Sequence, residues 1–131
     1  MTDPDSPALL VRRALEAFAA GDRSVLLDAL HEDAVFHIPG TSPISGVHRG
    51  RFALLEFFQD LDRRSEGTLR VDLRHVLAGS DGHVLALFRL SAARAGRTLD
   101  DLTAYLFRVE GGRIVEARSL HEDQAASDRF W

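Results

Sequence analysis

Cysteine is absent from this 131-residue chain, and so is lysine. Without cysteine there is no disulfide, no thiolate nucleophile and no cysteine-ligated zinc. That fits a reducing compartment, and the cytoplasm is the location expected here. The missing lysine, beside abundant Ala, Arg and Leu, fits a GC-rich bacterial genome and says nothing about chemistry. Basic and acidic residues number 16 and 20, for a formal charge of −4, and no basic stripe stands out. A nucleic-acid partner is therefore not expected. No apolar run approaches the roughly 18 residues of a membrane span. The first residues, MTDPDSPALL, are acidic where a signal peptide needs a basic region, so neither membrane insertion nor export is expected. There is no HxH, HExxH or cluster of carboxylates, so no metal site is expected. Nor is there a GxGxxG, a phosphate loop or a GxSxG, and no cofactor is expected.

What is present is a chain long enough for one domain, spanning residues 1–131, with 45% apolar residues to fill its core. Ser6-Pro7 offers a capping hydroxyl followed by proline at the first helical position. Val11, Leu15 and Phe18 then recur at helical spacing, and Gly21 ends the run. A short second helix is expected over 23–31 with Leu26, Ala29 and Leu30 inward. Residues 34–38 read as a strand stopped by Pro39-Gly40. The stretch HIPGTSPISGVHRG, residues 37–50, looks chemical but reads as a connector to a third helix. That helix begins near Gly50, with Phe52, Leu55, Phe58 and Gln59 on one face and Leu54, Phe57 and Leu61 beside it.

The second half alternates with period two. Leu69, Val71, Leu73, His75 and Leu77 form one face of a strand, and 83–94, 98–109 and 113–121 read as three more. The tail DQAASDRFW adds a final helical turn. Helices first and an antiparallel meander after them define an α+β fold, a curved sheet wrapped on three N-terminal helices. Both faces of its strands are apolar: Ala86, Phe88, Leu90 and Ala92 against Leu85, Leu87 and Ala93. A sheet covered on one side only should be polar on the other. A homodimer through the outer sheet face is therefore expected.

Three runs carry a family resemblance: AAGDRSVLLDALHEDAVFHIPGTSPISGVHRGRFALLEFF, GRTLDDLTAYLFRVEGGRIVE and DQAASDRFW. They resemble the SnoaL-like branch of the nuclear transport factor 2-like superfamily over roughly residues 8–131. The resemblance implies a cone-shaped α+β barrel with an apolar pocket, usually dimeric. Ketosteroid isomerases, limonene epoxide hydrolase and polyketide cyclases share that fold, as do non-enzymes. By that resemblance the isomerases' general-base position is Ile38, their first-helix tyrosine is Ala14, and their protonated aspartate is Tyr105. The epoxide hydrolase positions read Thr103, Tyr105 and Ser119. Neither established carboxylate set is present. Polyketide cyclases use an acid/base residue on the last strand, where the inward face reads Ala117, Ser119 and His121. A one-residue slip would put Glu116 and Arg118 inside instead.

The acid/base candidate is accordingly His121, since imidazole both takes and gives a proton near neutral pH. Tyr105, the only tyrosine, stands where a phenol could orient a carbonyl. Asp101 and His75 are the further catalytic candidates, as possible partners of each other or of the pocket. Phe18, Phe36, Ile38, Phe58, Phe88, Leu90, Thr103, Phe107, Ala117 and Ser119 are expected to line the pocket, with His48 near its entrance. His37 should point away from it, and His31 and His83 should be exposed. The expected function is binding of a hydrophobic oxygenated small molecule, with cofactor-free cyclase or isomerase chemistry of polyketide, steroid or terpene type. The alternatives are a non-catalytic binder with the same pocket and a protein-interaction scaffold.

Overall fold

The structure, a computed structural model, describes residues 6–131; the acidic start at residues 1–5 lies outside the described residues. Helix α1 (Pro7–Ala19) begins where Ser6 Oγ accepts from the Leu9 amide at 3.1 Å and Pro7 fixes the first turn. It buries Val11, Ala14, Leu15 and Phe18. Helix α2 (Ser24–Ala29) is shorter than its pattern suggests. Leu30 leaves the helix with extended backbone and starts strand β1 (Leu30–Ile38). The Arg51 guanidinium fixes that exit, donating to the Leu30 carbonyl at 2.9 and 2.7 Å.

Part of the connector is a strand. β2 (Gly46–Arg49) pairs antiparallel with β1, His48 opposite Phe36. It is too short and too exposed to show alternation. Helix α3 (Arg51–Arg64) buries Leu54, Phe57 and Phe58. Phe52, expected on one face with Phe58, is 75% exposed in the first turn.

Strands β3 (Arg70–Ala78), β4 (His83–Arg94), β5 (Arg97–Glu110) and β6 (Arg113–His121) form the meander, and helix α4 (Gln124–Phe130) closes the described chain. The sheet runs β2-β1-β6-β5-β4-β3, with β1 parallel to β6 and every other pair antiparallel. It remains open between β2 and β3. β3 carries a bulge: Leu73 pairs with Phe88 but His75 pairs with Leu87, so Arg74 is an extra residue. An inserted residue flips every later side chain to the other face. Val71 and Leu73 therefore face in, whereas His75 and Leu77 face out.

The inner face of the sheet and helices α1 and α3 enclose an aromatic core. Phe36, 1% exposed, meets Phe58, Tyr105 and Phe107 edge-on at 6.1, 6.1 and 6.3 Å. Such pairs add about 0.5–1.5 kcal/mol each beyond the area they bury.

Candidate active site

A cavity opens between this aromatic core and the inner sheet. Its volume is about 60 Å³, and its mouth opens to solvent. Phe18, Phe36, Ile38, Phe58, Phe88, Leu90, Thr103, Tyr105, Phe107 and His121 line it, as their place in the sequence pattern suggests. Among the described residues, no arginine and no carboxylate belongs to the lining. A ligand with a formal negative charge would find no counter-charge there, and desolvating it would be costly.

His121 and Asp101 form the polar end. Thr103 pairs with His121 across β5 and β6, and Asp101 lies two residues before Thr103 on the same face. His121 Nδ1 is 2.6 Å from Asp101 Oδ2, with the two side chains 6% and 3% exposed. A carboxylate accepts only, so the Nδ1 proton belongs to this bond. Nε2 is then the ring nitrogen left for the cavity that the imidazole lines. Asp101 is itself held on both oxygens. Thr103 Oγ1 donates to Oδ2 at 2.8 Å, and the Asp123 amide donates to Oδ1 at 3.3 Å. An imidazole oriented by a buried carboxylate is the arrangement a general base requires.

Tyr105 follows Thr103 by two residues, so its ring enters the same cavity about 7 Å further along the strand. It lies against Phe36, Phe88 and Phe107. Its ring lines the cavity and is half-buried. Burial pushes its phenol up to about 12, and the Ser119 hydroxyl acts weakly in the opposite sense. At neutral pH the group is a neutral hydrogen-bond donor. Ser119, opposite Tyr105 in the register, is 3% exposed, and its Oγ completes no hydrogen bond of normal geometry.

The remaining candidates fall elsewhere. His75 is exposed on the outer face, because the bulge at Arg74 turns it away from the cavity and from Asp101. His48 stays outside the lining. Its Nε2 bonds the Ile44 carbonyl at 2.8 Å and its ring packs 4.5 Å from Phe57, so it supports the wall from behind. Ala117 and Ser119 face inward but lie in the packed layer under the cavity. The register that places them there puts Glu116 and Arg118 outside, where Glu116 pairs with His37 at 3.3 Å. His31 and His83 are half-buried and bonded locally, to the Asp33 amide and the Ser80 carbonyl.

Several lining residues have little or no individual signal in the sequence. Leu15, Leu26, Phe57 and Leu61 read as ordinary helical core, and Leu69 and Val71 as strand core. Ile44 sits in the irregular segment after Pro39. Trp131 follows α4 and enters the cavity wall, 4% exposed, with its Nε1 buried and without a partner. Being the only tryptophan is the one mark it carries.

A curved sheet folded over helices around an apolar cavity defines the cone-shaped class of the nuclear transport factor 2-like superfamily. Residues 11–117 match the model of the SnoaL-like domain, and the chain belongs to that family. Uncharacterized proteins of Mycobacterium tuberculosis and Mycobacterium bovis are 40% identical over 131 residues, which is 100% of this chain and 99% of theirs. Bal32a, from a soil-derived mobile gene cassette, is 37% identical with a TM-score of 0.91 over 95% of both chains. A proposed SnoaL-like polyketide cyclase from Jannaschia shares the fold at 17% identity, with a TM-score of 0.76 over 93% of this chain and 90% of its own.

Proposed function

We propose that the chain is a cofactor-independent acid/base enzyme of the cyclase or isomerase type, acting on a hydrophobic, uncharged carbonyl compound. The observation that carries this reading is the Asp101–His121 bond at the polar end of an otherwise apolar cavity. His121 Nε2 removes a proton from the carbon beside the carbonyl. The C–H electron pair moves into a new C=C bond, and the carbonyl oxygen takes up the charge. The Tyr105 hydroxyl donates to that oxygen, and Asp101 stabilises the imidazolium that forms. The proton then returns to another carbon, giving an isomer. Alternatively, the enolate carbon attacks a second carbonyl of the same molecule, whose C=O π pair moves onto its oxygen; that oxygen takes the proton back from the His121 imidazolium, giving a ring that bears a hydroxyl. Polyketide, steroid and terpene skeletons all contain such groups.

The apolar lining sets the charge of the substrate. Binding measured by calorimetry with a neutral cyclic ketone and with the matching carboxylate tests this. The ketone binds and Tyr105→Phe weakens it; preferential binding of the carboxylate refutes the reading. A non-catalytic binder is the second reading. Ile38 favours it, because an apolar side chain occupies the place where the resembling isomerases keep their base.

The outer sheet face belongs to the same proposal. Leu77, Leu85 and Leu106 form one row across β3–β5, and Leu87, Ala104 and Leu120 form the next across β4–β6. Leu77, Leu106 and Leu120 are 55%, 38% and 64% exposed. The rim carries both signs, in the pairs Arg89–Asp100 and Arg118–Glu116. A neutral, mixed rim around an apolar centre complements itself under two-fold rotation, so the occupant is a second copy of the chain.

A further inference from the structure

Helix α4 makes contacts at both of its ends and along its length, and several of them lead to the cavity. Its N-cap, Asp123, accepts from the Ala126 amide on Oδ1 at 3.0 Å and donates its own amide to Asp101 Oδ1 at 3.3 Å. Its middle holds the segment after β1. Asp128 Oδ1 accepts from the Thr41 amide at 3.1 Å, and Oδ2 accepts from the Thr41 hydroxyl at 3.3 Å. Gln124 Nε2 donates to Asp128 Oδ1 at 3.1 Å and to the Pro39 carbonyl at 3.4 Å. Only glycine fits beside this latch: Gly40 has φ +98°, and a Cβ there would collide with the Asp128 carboxylate. The two pieces so joined each supply a cavity wall, Trp131 from the end of α4 and Ile44 from the latched segment.

The cavity is too small to enclose the substrate class proposed above. Its 60 Å³ compares with roughly 150 Å³ for a cavity that holds one benzene ring. A ring-sized molecule is fully enclosed only if part of the wall moves. The strands are tied by the sheet register, whereas α4 is seven residues long and joins the rest through side chains: the bonds just described, the Arg94 and Arg97 guanidinium groups on the Trp131 and Arg129 carbonyls, and the packing of Phe130 and Trp131 into the core.

We infer that α4 is a lid latched by Asp128, and that its closure positions the acid/base pair through the Asp123 amide on Asp101. Asp128 is thus a positioning residue: it touches neither cavity nor imidazole, yet sets how long the Asp101–His121 bond persists. Opening the lid to admit a ligand withdraws the Asp123 amide from Asp101, and closing restores it. The base is fully oriented only when the cavity is shut. This rests on the reading of His121 and Asp101 as the acid/base pair, but its test uses no substrate, so a failure of the catalytic reading is seen separately.

Two probes lie at opposite ends of α4. Trp131 fluorescence, quenched by acrylamide, reports opening at the wall. The proton on His121 Nδ1, followed by NMR as it exchanges with water, reports the bond to Asp101. In Asp128→Ala both should speed up by about tenfold, the factor expected when three part-exposed hydrogen bonds of small net worth, two to Thr41 and one to Gln124, are lost. Asp128→Asn, which keeps an acceptor for the Thr41 amide, should fall near the wild type. Amide exchange in β4 and β5 should not change. No change in either probe overturns the inference. Faster Trp131 quenching with an unchanged His121 proton overturns it as well, because the lid would then open without reaching the dyad. If Asp128→Ala does not fold, Thr41→Val removes only the hydroxyl bond. It should shift both probes in the same direction by a smaller factor, and a shift in neither again refutes the inference.

Discussion

His121 Nδ1 lies 2.6 Å from Asp101 Oδ2, and the oxygen that receives it also receives the Thr103 hydroxyl at 2.8 Å. Two donors on one carboxylate oxygen, with a backbone amide on the other, leave Asp101 little freedom to rotate. The imidazole is held in turn. The pair is thus a preorganised unit built from two adjacent antiparallel strands, β5 and β6.

Replacing Asp101 by Ala removes the acceptor for all three donors. Leaving a buried donor unpaired costs about 1–3 kcal/mol. Asp101→Ala should lose roughly 3 kcal/mol in urea unfolding, and its His121 15N spectrum should show both neutral tautomers where the wild type shows one. A wild-type spectrum with the proton mainly on Nε2 contradicts the assigned bond.

Tyr105 gives the protein a pH dependence on the alkaline side. Its phenol is raised to about 12 in the folded chain from the ordinary 10.0. Folding therefore favours the protonated form. The associated stability is fully present below pH 10 and is lost as pH rises through 12. A shift of that size corresponds to roughly 2–3 kcal/mol. With one tyrosine in the chain, absorbance near the tyrosinate band titrates this group alone. Tyrosinate should appear well above pH 10 or together with unfolding. A midpoint at 10 in folded protein would contradict the burial.

Phe36 tests the aromatic core. It is 1% exposed and meets three other rings edge-on. Phe36→Ala should cost about 3–5 kcal/mol in chemical denaturation, and Phe36→Leu distinctly less. Because Phe36 also lines the cavity, the alanine variant should bind larger ketones if it remains folded.

The outer sheet face predicts a second copy. Leu106→Asp places a charge in the middle of the apolar rows and should turn a dimer into a monomer in sedimentation experiments. A wild-type chain that is already monomeric at tens of micromolar protein, a concentration at which an interface of standard size is normally occupied, would remove the argument for that partner.

Much of the fold was legible because its strands alternate cleanly. Inward residues of β4, β5 and β6 face in as their period of two suggests, and His121 and Asp101 reach one site for that reason. His75 was misplaced by the bulge at Arg74. One added residue leaves the local pattern intact but changes the face of everything after it, and that is invisible without the partner strand. β2 was missed because an exposed four-residue edge strand has no buried face to produce a pattern. Trp131 and Ile44 were missed for a third reason. They reach the cavity through side-chain bonds between α4 and the segment after β1, 87 residues apart in sequence at Thr41 and Asp128. The connector that looked chemical turns out to supply part of a wall, and its histidines do not enter the cavity.

The central claim is that His121, held by Asp101, moves a proton to and from carbon. The most direct measurement is deuterium incorporation, by NMR in D2O, at the carbon beside the carbonyl of a bound neutral cyclic ketone. The wild type should exchange that position faster than buffer, Tyr105→Phe should slow it, and His121→Asn should abolish the acceleration while leaving binding within a few-fold. A ketone that binds in the cavity with no exchange above buffer, or an His121→Asn variant as fast as the wild type, would contradict the account.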